Sequence, residues 1–188
     1  MTTRIPPARI DGLFGAIVKK MSARMFGKVP ESLGVMWHNQ PVLKASMGYG
    51  RKVQKWDSCD EALKSYAHMA VASLIGCSWC LDFNYFMAFN RGLDMDKAQQ
   101  IPRWRESEVF TPLERDVLEF AEAMSQTPLT VTDELVARLR DQLGAAAVIE
   151  LSSVIGFANL TTRGNVALGI ESEGFADTCG LRPMAQRS

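Results

Sequence analysis

The chain has little net charge and few histidines. Among 188 residues there are two histidines and four cysteines, and Lys+Arg and Asp+Glu are 21 each. The formal net charge is zero and the pI is near 6.7, so a globally basic nucleic-acid binder is not expected. No run of about 18 apolar residues stands out, so no transmembrane helix and no membrane partner are expected. The opening residues MTTRIPPARIDGLFGAIVKK have no uninterrupted apolar core before a small-residue cleavage site, and they do not read as a signal peptide. Four cysteines without such a signal point to a reducing, cytoplasmic setting. There a close pair is redox-active or metal-binding rather than a structural staple. Alternating strand patterns, internal repeats and low-complexity segments are also missing. What is present is 47% apolar residues, enough for an ordinary core, and 22% charged, too few for a disordered polyampholyte.

The neutral total hides an asymmetry. Residues 1–55 hold ten bases and two acids, a balance of +8, and the remainder balances at −8. Such a basic segment either meets an anionic ligand or forms a solvated face beside the acidic remainder; the second is the ordinary arrangement of mixed-sign surfaces.

Helical periodicity dominates. Ile10, Leu13, Phe14, Ile17, Val18, Met21 and Met25 recur at steps of three and four, predicting a helix over 7–26 ended by Gly27. Its apolar stripe is expected to face the protein's own core or a neighbouring subunit. Residues 30–56 predict one or two helices with a break near Pro41. Ser58, Cys59, Asp60 and Glu61 have capping-box form, opening a helix through Leu63, Tyr66, Ala70 and Leu74 that Gly76 stops. A further helix starts at Cys77 or Ser78 and ends near Asn90, and a short one follows over 94–100. Thr111, Pro112 and Glu114 open another. Thr130 or Thr132 caps the next, and 145–168 reads as one long apolar helix. The expected fold class is all-α: one domain over 1–188, with an N-terminal helical arm (1–29) and a C-terminal tail (173–188).

The chemistry concentrates in Gly76-Cys77-Ser78-Trp79-Cys80, a CxxC at a helix start. Unpaired amides and the helix dipole there stabilise a thiolate, and such cysteines have pKa values lowered to about 3.5–7.5. A thiolate attacks a peroxide or a disulfide, and the second cysteine closes a disulfide behind it. Two alternatives stay open: a zinc site, for which Cys59, Cys179, His38 and His68 are the candidate extra ligands without paired zinc spacing, and a buried pair with no role. Cys77, Cys80 and Asn84 share one helix face, and Glu61, Ser65, His68 and Ala72 share a face of the preceding helix, from which a base or relay would come.

A helix leading to GCSWC, followed by Asn84 and Gly92-Leu93, resembles the core of the carboxymuconolactone decarboxylase superfamily, in its alkylhydroperoxidase D (AhpD)-like branch. Phe110-Thr111-Pro112-Leu113-Glu114-Arg115 and the segment from Asn159 through Arg163, Asn165 and Gly169 to Ile170 resemble its later helix start and its closing segment. The likeness covers roughly residues 30–175. It implies an AhpD-like helical fold with the CxxC buried between helices, usually in trimers or hexamers. It implies a peroxidatic Cys80, a resolving Cys77, a hydroperoxide substrate and a dithiol reductant such as a lipoyl group, with no cofactor or metal.

The branch uses a His four residues after the second Cys and a Glu twelve before the first. Asn84 and Ser65 stand there instead, and neither is a useful base near neutral pH. His68 and Glu61, one turn either side of Ser65, are the candidate substitutes. The candidate site is therefore Cys80, Cys77, His68, Glu61 and Asn84, with weaker peroxidase activity expected than in a relay-bearing relative. The rival readings are an oligomeric redox-sensing or binding module without turnover, and a thiol-independent decarboxylase-type enzyme. Trp79 shields the pair, stacks on a substrate or packs; Trp37, Trp56 and Trp104 are expected as core or interface anchors; Arg163 is expected in a structural ion pair; Cys59 and Cys179 are expected as free thiols.

Overall fold

The computed structural model describes residues 3–179, the side chains of 178 and 179 excepted, so the expectation for Cys179 lies outside the described residues. The elements are α1 (Gly12–Phe26), α2 (Glu31–Trp37), α3 (Gln40–Val53), α4 (Glu61–Ile75), α5 (Ser78–Asn90), α6 (Met95–Gln100), a 3₁₀ segment (Ile101–Glu106), α7 (Pro112–Ala123), α8 (Asp133–Leu143), α9 (Ala145–Leu168) and a 3₁₀ turn (Ala176–Cys179). No strand occurs among the described residues, as the all-α reading requires.

α4 is the central helix and packs against α9, α7 and α5. Ala67, Met69, Ala70, Val71 and Ala72 are buried on several of its sides. A helix apolar on most sides belongs inside a core, and its three buried alanines let neighbouring helices approach closely. Leu74, assigned to the buried stripe from spacing, is exposed.

Local cap chemistry sets most boundaries. Thr111 Oγ1 accepts from the Glu114 amide (3.2 Å), and the Thr111 amide donates to Glu114 Oε2 (2.7 Å). Thr132 caps α8 through the Leu135 amide. The capping box expected from Ser58 to Glu61 does not form. Asp60 is the cap instead, accepting from the amides of Ala62 (2.8 Å) and Leu63 (3.2 Å). The Ser58 amide is drawn to Glu150 Oε2 of α9 (2.7 Å). A carboxylate also suits the positive end of a helix better than a hydroxyl.

The arm differs from its prediction as well. α1 begins at Gly12, and the described residues before it are not helical. The Ala8 amide donates to the Gly34 carbonyl (3.0 Å). Gly34 is required there, because a Cβ would come within 2.7 Å of Pro7 Cβ. Arg4 donates from its backbone to Leu168 O (2.9 Å) and from Nη1 to Ala167 O (2.7 Å), capping the C-terminus of α9 with a cation. Of the predicted α1 stripe, Phe14 stacks on Trp37 and Val18 is buried, but Leu13, Ile17, Met21 and Met25 are exposed.

By length and composition alone α9 is long and apolar enough to cross a membrane, as a core helix can also be. It lies on α4, with Leu151, Val154, Ile155 and Ala158 buried.

Candidate functional site

Gly76 makes the turn from α4 into α5. Its φ of +79° lies in the left-handed region that glycine occupies without penalty, and the Cys77 amide returns to Ala72 O (2.9 Å). This places Cys77 at the N-cap of α5, where its Sγ accepts from the Cys80 amide (3.2 Å). Cys77 and Cys80 are joined as a disulfide, and both are buried, 1% and 2% exposed. The side chain of Asn165, near the end of α9, donates from Nδ2 to Cys80 Sγ at 3.4 Å.

The segment 171–176 lies over the first turn of α5 as a strap. Asp82 is fully buried, and its carboxylate accepts from Ser172 Oγ (2.8 Å) and from the amides of Glu173 (3.0 Å), Phe175 (3.0 Å) and Ala176 (2.6 Å). Such charge-assisted bonds satisfy a buried charge that would otherwise be costly. Glu173 accepts from Trp79 Nε1 (3.0 Å) and from the Glu31 amide at the start of α2 (3.1 Å), and Lys28 lies 3.7 Å from its carboxylate. Phe175 is buried beside Phe26 and Phe83, and Trp79 stacks on Phe83 at 5.0 Å. The tail start therefore docks on this chain itself, and Trp79 is a packing residue that carries a hydrogen bond.

On another side of α5 a cleft of about 490 Å³ opens between α3, α4, α5 and α9. Glu61, Ser65, His68 and Asn84 all line it, so four positions picked out in the sequence share one space. The two sulfurs do not line it. Asn84 Nδ2 is bonded to Cys80 O (2.6 Å), which ties the cleft wall to the backbone of the CxxC turn. Glu61 is ion-paired with Arg91 (3.0 Å). His68 faces the edge of Phe157, and desolvation pushes its pKa down to about 4, so it is neutral at physiological pH. Trp56, Phe83 and Phe157 give the lining an aromatic character.

Cys59, also on the cleft, is a buried free thiol, as expected. Its pKa is pushed up to about 11, first by desolvation and then by the negative Glu150. Glu150 is held below the ordinary carboxyl range. Burial works to raise it, but the hydrogen bonds from Lys64 (2.7 Å) and the Ser58 amide outweigh burial.

Two expectations are refined. Arg163 donates to Asn159 Oδ1 (3.2 Å) and to the Ser125 carbonyl, rather than entering the expected ion pair. Trp37 and Trp104 are buried, Trp104 with its Nε1 on Glu122 (2.9 Å), while Trp56 is half-buried at the cleft. Among the described residues no group of three His, Cys, Asp or Glu side chains could hold a metal ion.

Asp82, Glu173 and Asn165 were missed as site residues. A lone Asp in the apolar stretch after the CxxC was a usable signal for the first. Asn165 stood in the closing motif without a role, and nothing near Glu173 in sequence marks it.

The family model of the Carboxymuconolactone decarboxylase family matches residues 40–123. The uncharacterised protein YnjA of Escherichia coli K12 is 36% identical over 129 residues, 69% of this chain and 71% of its own length. Among solved structures, a cysteine-to-alanine variant of the debrominase Bmp8 in complex with 2,3,4-tribromopyrrole superposes with a TM-score of 0.80 at 21% identity, covering 95% of this chain and 96% of that one. A protein from Agrobacterium tumefaciens, described as a putative antioxidant defence protein AhpD, gives a TM-score of 0.69 at 21% identity over 73% and 94% of the two chains. At these identities the solved structures establish the fold.

Proposed function

Because this chain belongs to the carboxymuconolactone decarboxylase family, as an AhpD-like member, we propose that it is a peroxidase-type oxidoreductase that reduces hydroperoxides through the Cys77–Cys80 pair. The observation that carries this reading is the pair itself: two cysteines in bonding distance at the N-cap of a core helix, beside a cleft whose wall is bonded to Cys80 through Asn84.

In the proposed cycle the Cys80 thiolate attacks one oxygen of ROOH. An S–O bond forms, the O–O bond breaks, and the alkoxide takes a proton and leaves as ROH. The Cys77 thiol displaces hydroxide from the sulfenic acid, giving the disulfide and water. A dithiol of lipoyl type then exchanges with the disulfide, becoming oxidised as both cysteines are reduced. Glu61 and His68 are poor candidates for strong bases, the first being ion-paired and the second held at low pKa. The helix amides are the general aid to thiolate formation.

The aromatic lining of the cleft supports a second reading, reduction of a halogenated aromatic by the same two electrons, with C–Br replaced by C–H and bromide released. Likeness to the debrominase is a reason to test it.

The deciding experiment is single-turnover. The reduced protein receives one equivalent of an organic hydroperoxide, and the thiols are followed by mass. Rapid stoichiometric closure of Cys77–Cys80, abolished in Cys80→Ser, is the expected result. Oxidation no faster than that of a free model thiol overturns the peroxidase reading, and closure without repeated turnover by any dithiol favours a sensor. We also propose that the exposed α1 residues Leu13, Ile17, Met21 and Met25 are covered in a trimer or hexamer, which a monomeric mass by light scattering would contradict.

A further inference from the structure

We propose that Asn165 is a positioning residue that holds the Cys80 sulfur and stabilises its negative charge in the reduced protein, an amide donor working where a base is missing. The inference rests on the reading of Cys80 as the attacking thiol.

The two sulfurs of the pair are served by different groups. Cys77 Sγ takes the one helix amide aimed at the pair, that of Cys80 (3.2 Å). Cys80 Sγ takes the Asn165 carboxamide at 3.4 Å. Neither relay position reaches it by a hydrogen bond: the Asn84 carboxamide is given to Cys80 O (2.6 Å), and Ser65 lies on the cleft. A carboxamide N–H can donate to a thiolate but cannot remove a thiol proton. Donation to the charged form favours that form. Asn165 can therefore lower the proton affinity of Cys80 without taking part in proton transfer.

Its placement is firm. The Asn165 carbonyl accepts from the Ile170 amide (3.0 Å), closing the last turn of α9, and Gly169 takes a left-handed conformation at φ +68° to allow it. Arg4 fastens the carbonyls of Val166 and Ala167 in the same turn.

The charged groups on elements packed against α5 are engaged elsewhere or exposed: in the strap, Glu173 accepts from Trp79 Nε1 and the Glu31 amide, and Glu171 is exposed. Lys64 of α4 is bonded to Glu150 of α9, and Glu61 to Arg91 at the far end of α5. Lys97 of α6 is bonded to Glu114, and Arg163 of α9 donates to the Ser125 carbonyl. Asp96 and Asp177 are exposed. On α5 itself, Asp82 is given to the strap. His68 is neutral in the pH range of the test.

The test is a pH titration of the reduced full-length protein by ¹³Cβ NMR of labelled cysteines, which reads each thiolate without requiring solvent access. The four signals are assigned with single Cys→Ser variants. The Cys80 midpoint is expected to rise by about one pH unit in Asn165→Ala, a tenfold loss of thiolate below the midpoint. It should rise further in Asn165→Asp, which faces the sulfur with a negative charge. The midpoint of Cys59 should not move. An unchanged Cys80 midpoint in Asn165→Ala or Asn165→Asp, with native circular dichroism in that variant, overturns the role of Asn165. The titration is independent of turnover, so shifted midpoints alongside absent hydroperoxide reduction would sink the peroxidase reading and leave Asn165 standing.

Discussion

Cys59 and Cys77 stand at the entrances of successive helices, α4 and α5, and both are all but sealed from solvent, 3% and 1% exposed. At α4 the free amides are taken by the Asp60 carboxylate, and Glu150 lies close by. Cys59 is left with desolvation and a negative neighbour, and its proton is held until about pH 11. At α5 no carboxylate caps the helix; the sulfur of Cys77 does so itself. Burial and a helix end are common to both cysteines; the two sites differ in which group receives the free amides and in what charge stands next to the sulfur, the factors that set how readily a thiol gives up its proton.

The largest effect should come from setting the two entrances against each other. In the reduced protein at pH 8, the thiolate population of Cys59 should be about 100-fold below that of an ordinary thiol, which the ¹³Cβ titration would measure without needing solvent access. Glu150→Gln should narrow the contrast by lowering the Cys59 midpoint, with the larger effect of desolvation left in place. Because it strips Lys64 of its partner, it should also cost about 3 kcal/mol, read as a lower urea midpoint. A Cys59 midpoint at the ordinary thiol value in the parent protein would end the comparison.

A smaller effect sharpens it by isolating desolvation from charge. His68 is shifted by burial alone, to about 4 from an ordinary 6.5. Below pH 6.5 the unfolded chain binds a proton that native His68 refuses, so stability falls as the pH drops from 6.5 toward 4, by at most about 3 kcal/mol. His68→Gln should flatten this acid limb in urea titrations at pH 7.5 and 4.5. Equal slopes in parent and variant would mean that His68 is solvated.

The sequence carried those parts of the fold that are written locally. Thr111, Pro112 and Glu114 form their capping box because all its partners lie within three residues. Gly76 and Cys77 mark the turn because the required backbone conformation and the cap belong to adjacent residues. The CxxC at a helix start was legible in the residues themselves, and the resemblance added its burial between helices. What stayed hidden depends on partners far along the chain. Glu150, 92 residues from Ser58, moves the start of α4 from Ser58 to Asp60. Asp82 reaches a strap 90 to 94 residues away, and Asn165 reaches a sulfur 85 residues away. The α1 stripe was legible as apolar, yet spacing alone does not say which of its residues the same chain will cover.

The strap has a consequence for the time course of reduction. Thiol–disulfide exchange needs the incoming sulfur to approach along the S–S axis, and both acceptors are buried, with Asp82 clasping four donors of the strap beside them. A reductant of any size must wait for a local opening. The disulfide then sits behind a pre-equilibrium: its reduction rate climbs with reductant only until it meets the opening rate, and levels off there. Asp82, whose hydrogen bonds go to the strap and not to either sulfur, is expected to set the height of that plateau.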